Sequence, residues 1–427
     1  PERGAEALAQ LAEQRQRVDA EEPQRAADDN QRAAAQPSPL LTRRDAHRAA
    51  GQAAGNAYHD RPAAAARADA DARAAGVAPA GLPAAVRAPS GGDFKLSAKT
   101  GDPWYAGPEA AALADVVLSY QSPAGGWSKH TGYNRGPRQP GMQFSSQYEP
   151  GRSPHYLATF DNRSTTEQIH FLANVWLATQ RDDCRAAVVR GLRYILAAQY
   201  PHGGWPQAYP LEGGYHDDVT LNDDALTHIL ELLAAVADQQ PQFAQVAEAL
   251  RAEAAAALAA GLQCAVRLQV VQQGRPTGWC AQYDALTLAP SAARALEPPA
   301  LSGSESSQLL KFLMTVQRPT PELVTTIEQG LRWLDDVKVT GLARTKRNGK
   351  TVYEPQADST EAYWARFYDL ATGRPIFPGR DGVVYDSFAA MAEQNSLGYD
   401  YFSSRPGSVL TNGQKKWRKI LAKAGGP

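Results

Sequence analysis

The sequence is poor in sulfur, with three cysteines and three methionines among 427 residues. Cys184, Cys264 and Cys280 allow one disulfide at most, and their spacing is no metal signature. A disulfide framework is therefore excluded, and buried free thiols are expected. An excess of charge of one sign is missing too. The 44 Lys and Arg nearly balance the 45 Asp and Glu, for a net charge of −1, so a polyanionic partner has to be met by local clusters of basic residues. No run of about 18 apolar residues occurs, and no membrane-spanning helix is expected. The P-loop, the dinucleotide fingerprint after a strand, HExxH and GxSxG are all absent. No nucleic-acid-binding module frames the scattered arginines, which argues against a nucleic-acid partner. The chain begins at Pro1 without methionine; this suggests a processed product, with a removed secretion signal as one route and a secreted enzyme as the expectation.

What is present favours helix, since alanine is dense. Residues 1–90 are rich in Ala, Arg, Gln and Asp, with Tyr58 as the one aromatic residue. Their apolar stripes are thin, so a helical arm or small domain is predicted there. The stretch APSGGDF at 88–94 marks the boundary, and 91–427 is predicted to form the catalytic domain. Beyond about residue 105, amphipathic helices alternate with Gly/Pro/aromatic loops. Ser164-Thr-Thr-Glu167 reads as a capping box opening a helix with Ile169, Leu172, Val175 and Trp176 inward. Val188, Val189, Leu192 and Ile195 define the next helix. Asn222 reads as an N-cap before Leu226, Ile229, Leu230 and Leu233. A long helix is expected over 245–271, and Thr320-Pro321 opens another. Strand signals are sparse, the best being a hairpin over 337–353 turning at Asn348-Gly349. Helices in pairs with long loops predict a mainly α fold, an α/α toroid. Gly-Trp recurs at 126–127, 204–205 and 278–279. The repeat reads as architectural, with the three turns predicted to surround one cleft and Trp205 mostly buried.

Four polar constellations interrupt this pattern. Asp161-Asn162 suits local turn formation or a ligand site. HisAspAspValThrLeuAsnAspAsp at 216–224 holds more Asp and Asn than helix-dipole stabilisation needs, and hard-cation binding accounts for more of it. Arg294 and Glu297 precede a double proline, in what is either a surface loop or a site. Arg366, Arg374 and Arg380 alternate with aromatics over 364–382; they suit a poly-acid ligand through bidentate guanidinium–carboxylate pairs, or ordinary salt bridges.

The pieces GGWSKH (125–130), FDNRSTTEQIHFLA (160–173), GGWPQAYP (203–210), YHDDVTLNDDA (215–225), GWCAQYDALTLAPSAARALEPPALSGSES (278–306) and WARFYDLATGRPIFPGRDG (364–382) resemble, in this order, a pectate lyase of polysaccharide lyase family 10. The resemblance covers about 105–400. It implies an α/α toroid that cleaves polygalacturonate by calcium-assisted β-elimination, giving 4,5-unsaturated products. It implies Arg294 as the base taking the C5 proton, and Arg366 and Arg380, with Lys129, as contacts to the substrate; Arg374, from the same arginine run, is expected to join them. Asp161 and Asp223 correspond to the family's metal-binding positions, with Asn162 assisting. Ala208 and Tyr283 depart from the family pattern, where Phe and His are expected. A monomer without a membrane or nucleic-acid partner is expected. Two other readings are an inverting glycoside hydrolase using two of Asp161, Asp223 and Glu297, and a non-catalytic binder of acidic polysaccharide. A terpenoid-cyclase-like toroid also carries Gly-Trp turns, but no DxxD-type acidic cluster stands out.

Overall fold

The amphipathic segments become helices that pack in pairs. In the computed structural model, residues 87–122, 124–139, 142–146, 158–209, 215–347, 350–394 and 400–423 are described. They fall in one compact unit, Ala50–Pro427. Residues 1–86 of the predicted arm, and the Asn348-Gly349 turn, lie outside the described residues. After α1 (Pro108–Ser119) come three pairs: α2 (Thr166–Thr179) with α3 (Asp182–Ala198), α4 (Ala225–Ala237) with α5 (Glu248–Arg267), and α6 (Gly303–Leu313) with α7 (Pro321–Asp336). The first member of each pair packs on the first members of its neighbours, and the second members pack on one another. This gives the inner and outer layers of the expected toroid. Strands are short, mostly of two residues, apart from the predicted hairpin Leu342–Arg347/Lys350–Pro355.

Tryptophan holds the repeats together. Trp127, Trp205 and Trp279 are fully buried. Each indole N–H donates to a carbonyl of the preceding outer-layer helix: Trp127 to Val117 in α1 at 2.9 Å, Trp205 to Ile195 in α3 at 2.8 Å, and Trp279 to Ala265 in α5 at 2.8 Å. The following outer helix makes room for the ring with a glycine. A Cβ on Gly191, Gly261 or Gly330 would stand 3.3, 2.9 or 3.0 Å from the same three indoles. A fourth member is present without the glycine signal, because Trp364 follows Tyr363 and donates to Leu334 in α7 at 2.6 Å. A buried indole whose N–H is satisfied keeps its large apolar contribution without the desolvation cost.

Two predicted caps are corrected. No side-chain hydrogen bond caps α2, and the Ser164 box does not form. Thr165 sits at φ 69°; its hydroxyl accepts from the Trp127 amide at 2.9 Å and donates to the Thr159 carbonyl at 2.9 Å. Asn222 likewise does not cap α4, since Asn222–Asp224 form a 3-10 turn ahead of it. In both cases positive-φ residues beside the predicted cap, Arg163 and Thr165 around Ser164 and Asp223 and Asp224 after Asn222, replace the capping geometry. Ser302 and Thr320 do cap α6 and α7, accepting from the Glu305 and Leu323 amides. The three cysteines are free and buried. The expectation that no segment is apolar enough to cross a membrane needs one qualification. Glu248–Arg267 passes by length and hydropathy, yet it is the outer helix α5, with Leu250, Ala254, Gly261 and Cys264 packed inward.

Burial on the inner helices makes acid sensitivity predictable. Burial, reinforced by Arg163, lowers His170 in α2 to about 4. Burial, with Arg163 and His170, lowers His228 in α4 to about 3. Below the unfolded value near 6.5 the unfolded chain binds protons that the folded chain refuses, so stability falls as pH drops through that range. At pH 5 a histidine kept neutral destabilises by about 2 kcal/mol. His228→Gln is expected to lose less melting temperature than the wild type between pH 7 and pH 5. An identical pH slope in the two proteins would contradict this.

Candidate functional site

Two equivalent turns, one before each of α2 and α4, build the polar centre. In Phe160-Asp-Asn-Arg163, Asn162 has φ 51° and Arg163 φ 63°; in Leu221-Asn-Asp-Asp224, Asp223 has φ 51° and Asp224 φ 61°. Left-handed backbone at two successive non-glycine residues is strained, and Asn and Asp tolerate it best. The consequence is that Asp161 and Asp223, each from its own repeat, approach closely enough for each to influence the other.

Around them lies a cleft of about 390 Å³. It brings together Lys129, Asp161, Asn162, Asp223 and Arg294, five of the eight residues singled out from the sequence. Asp161 is 2% exposed. Burial alone would raise its carboxyl, but the Lys129 ammonium, bonded to Oδ2, outweighs burial and lowers it. Burial, the Asp161 charge and Glu305 push Asp223 up to about 7, against the pull of Arg366. Arg294 sits at the rim with its side chain 52% exposed, held by the buried Glu297. Nε donates to Oε2 at 2.8 Å and Nη2 to Oε1 at 2.6 Å, the bidentate geometry that fixes a guanidinium plane.

The other three arginines stand outside the lining. Arg366 is nearest: its Nη2 donates to Asn222 Oδ1 at 3.0 Å and lies 3.4 Å from Glu305 Oε1. Arg380 is exposed beyond the strand Pro375–Pro378, and both Arg380 and Arg366 act on the Tyr401 phenol. Arg374 is exposed at the other end of that strand, in the turn closed by its carbonyl and the Asp369 amide at 2.9 Å.

Sequence reasoning missed Gln207, Tyr215 and Gln282, all of which line the cleft. A signal for one of them was available. Lys129, Gln207 and Arg366 each stand two residues after a repeat tryptophan, so the repeat register itself points at the cleft. Tyr283 is buried, and its hydroxyl accepts from the Cys280 amide at 2.6 Å. Tyr368 does the same for Ala365 at 2.8 Å, so Tyr283 is a repeat position.

The donor set suits a hard cation in part. Asp161 Oδ1 and Gln207 Oε1 are buried oxygens without a hydrogen-bond partner among the described residues, and a second carboxylate, Asp223, stands beside Asp161. Calcium favours such oxygens but takes six to eight of them. No cluster of three or more His, Cys, Asp or Glu arranged for a metal occurs among the described residues, so the chain supplies two carboxylates and neutral oxygens, with room left for other ligands.

The pectic acid lyase family model matches residues 121–410, which include the whole cleft. The chain belongs to the pectic acid lyase family. It is a polysaccharide lyase of mainly helical fold. Two solved structures are similar to it. One is an aspartate-to-alanine mutant of the family 10 polysaccharide lyase from Cellvibrio cellulosa in complex with trigalacturonic acid, 32% identical, with a TM-score of 0.64 over 73% of this chain and 95% of the other. The second is the family 10 polysaccharide lyase from the same organism, with the same identity and TM-score and 94% of its chain covered. No curated protein sequence matches the lyase.

Proposed function

We propose that this lyase cleaves low-ester polygalacturonate by β-elimination, with Arg294 as the base at C5. The observation that carries the reading is the convergence of Arg294, Lys129, Asp161, Asn162 and Asp223 on one cleft in a chain of this family. The trigalacturonic acid bound by the Cellvibrio relative supports the substrate class.

A proton α to a carboxylate is a feeble acid, and negative charge spreads onto that carboxylate as it leaves. Preorganised positive charge is the remedy. Asp161 and Asp223, with Asn162 and Gln207, would hold calcium, whose role when bound is to neutralise the developing charge on the substrate carboxylate. Lys129 balances Asp161 and orients its free oxygen. Arg366, beside the cleft, receives a neighbouring uronate, while Arg380 and Arg374 serve sugars further along the chain. Glu297 fixes the Arg294 guanidinium plane. Arginine is normally protonated, so Arg294 acts as base from the neutral form reached in the substrate complex among these other cations. A secreted monomer acting on an extracellular polymer completes the reading.

Methyl esterification removes the charge these groups recognise. A charge-assisted hydrogen bond contributes about 1.5–3 kcal/mol, so fully esterified pectin is expected to be cleaved about 10- to 100-fold more slowly than polygalacturonate. The assay is the growth of ultraviolet absorbance from the unsaturated product. Equal rates on the two polymers would refute the assignment.

A further inference from the structure

Elimination has a second half that the base does not serve. When the C4–O4 bond breaks, its electron pair stays on O4, and that oxygen needs a proton. Most cleft-lining groups with a proton to give are engaged. The Lys129 ammonium is bonded to Asp161, His130 Nε2 faces Asp93 at 3.1 Å, and the Arg294 guanidinium is clamped by Glu297. Asp223 belongs to the acidic pair that would hold calcium. Tyr215 is different. Its hydroxyl makes no hydrogen bond among the described residues, while the rest of the residue is fixed. The ring stacks on His216 at 3.9 Å with an interplanar angle of 28°, and the backbone carbonyl accepts from Gln282 Nε2 at 3.2 Å. Tyr215 lines the same cleft as the base and the acidic pair, and the charges of Arg294, Glu297 and Asp161 all act on its phenol.

Resting on the lyase reading above, we propose that Tyr215 is the general acid that protonates the departing glycosidic oxygen. Arg294, as neutral guanidine, takes the C5 proton. The electron pair left on carbon becomes the C4–C5 double bond, the C4–O4 bond breaks, and O4 takes the phenolic proton. The phenolate and the guanidinium then exchange one proton through water, and both groups return to their starting forms. Burial raises the phenol above its ordinary value, so it carries its proton throughout the neutral range.

The test is Tyr215→Phe, which keeps the ring and its stacking. On polygalacturonate, kcat is expected to fall about 100-fold or more, with KM within about 3-fold. A galacturonide carrying fluorine at C4 loses fluoride without needing a proton, and on it the variant should turn over within about 3-fold of wild type. Wild-type kcat on the polymer in the variant would overturn the proposal. So would equal losses on the two substrates, which would mark a structural role, or a polymer-selective loss in His130→Gln that Tyr215→Phe lacks. Wild-type protein that forms no unsaturated product would instead bring down the underlying lyase reading, and that is read before any variant is compared.

Discussion

Replacing Arg294 by lysine is expected to lower kcat on polygalacturonate by about 1000-fold or more while affinity for the polymer changes little. The reason is geometric. Glu297 grips Nε and Nη2 of Arg294 at 2.8 and 2.6 Å, which fixes the guanidinium plane at the rim of the cleft. A lysine keeps a positive charge near Glu297 but cannot reproduce the fork. Alanine is the less clean substitution. It removes both side-chain bonds to the Glu297 carboxylate, 7% exposed, and losing a partner of a buried charged group costs about 1–3 kcal/mol of stability. The measurement is kcat from product absorbance, paired with a binding isotherm on polygalacturonate. A loss confined to affinity would move Arg294 from base to binding residue.

The second large effect concerns the frame. Gly203→Ala is expected to destabilise the protein by about 4 kcal/mol or more, at the upper end for single substitutions. Gly203 has φ +98°, and a Cβ there would lie 2.1 Å from the Ala260 carbonyl oxygen in α5. That atom is helix backbone and cannot step aside. Gly125 makes the equivalent approach to the Arg190 carbonyl in α3, with φ +110° and a Cβ distance of 2.6 Å. Gly92 supplies the control, because nothing lies within 4 Å of its Cβ position. Denaturant unfolding should therefore show Gly92→Ala within about 0.5 kcal/mol of wild type. A Gly203→Ala variant within about 1 kcal/mol of wild type would contradict the close approach.

Much of the fold is legible in the sequence because its signals are local. Apolar spacing marks Ile169, Leu172 and Val175 as one face of a helix, and Thr320-Pro321 marks a helix start. Gly-Trp marks a repeated turn whose indole is buried in all three copies. Trp364 escaped because its turn has no glycine, although its indole makes the same bond to the preceding helix. The false caps at Ser164 and Asn222 escaped for a different reason. Positive-φ residues at Asn162–Arg163 and Asp223–Asp224 displace the caps and bring the two repeats' turns together, and the capping motif in the sequence does not record them. For the site, the sequence isolates the carboxylates and Arg294 as unusual residues, and the family resemblance adds Lys129. Their convergence depends on the repeat register, which also explains Gln207 at the position equivalent to Lys129. Tyr215 opens the piece YHDDVTLNDDA, but nothing in that piece sets it apart from its acidic neighbours. Its importance comes from which charges surround its phenol.

The central claim is that the cleft performs elimination and that calcium assists it. The direct measurement follows ultraviolet absorbance and reducing ends together on polygalacturonate, with calcium and then with a chelator. The account predicts absorbance rising in step with new reducing ends, and loss of both signals on chelation with recovery when calcium is restored. New reducing ends without absorbance would show hydrolysis, with two of Asp161, Asp223 and Glu297 as its acid and base, and would contradict the account.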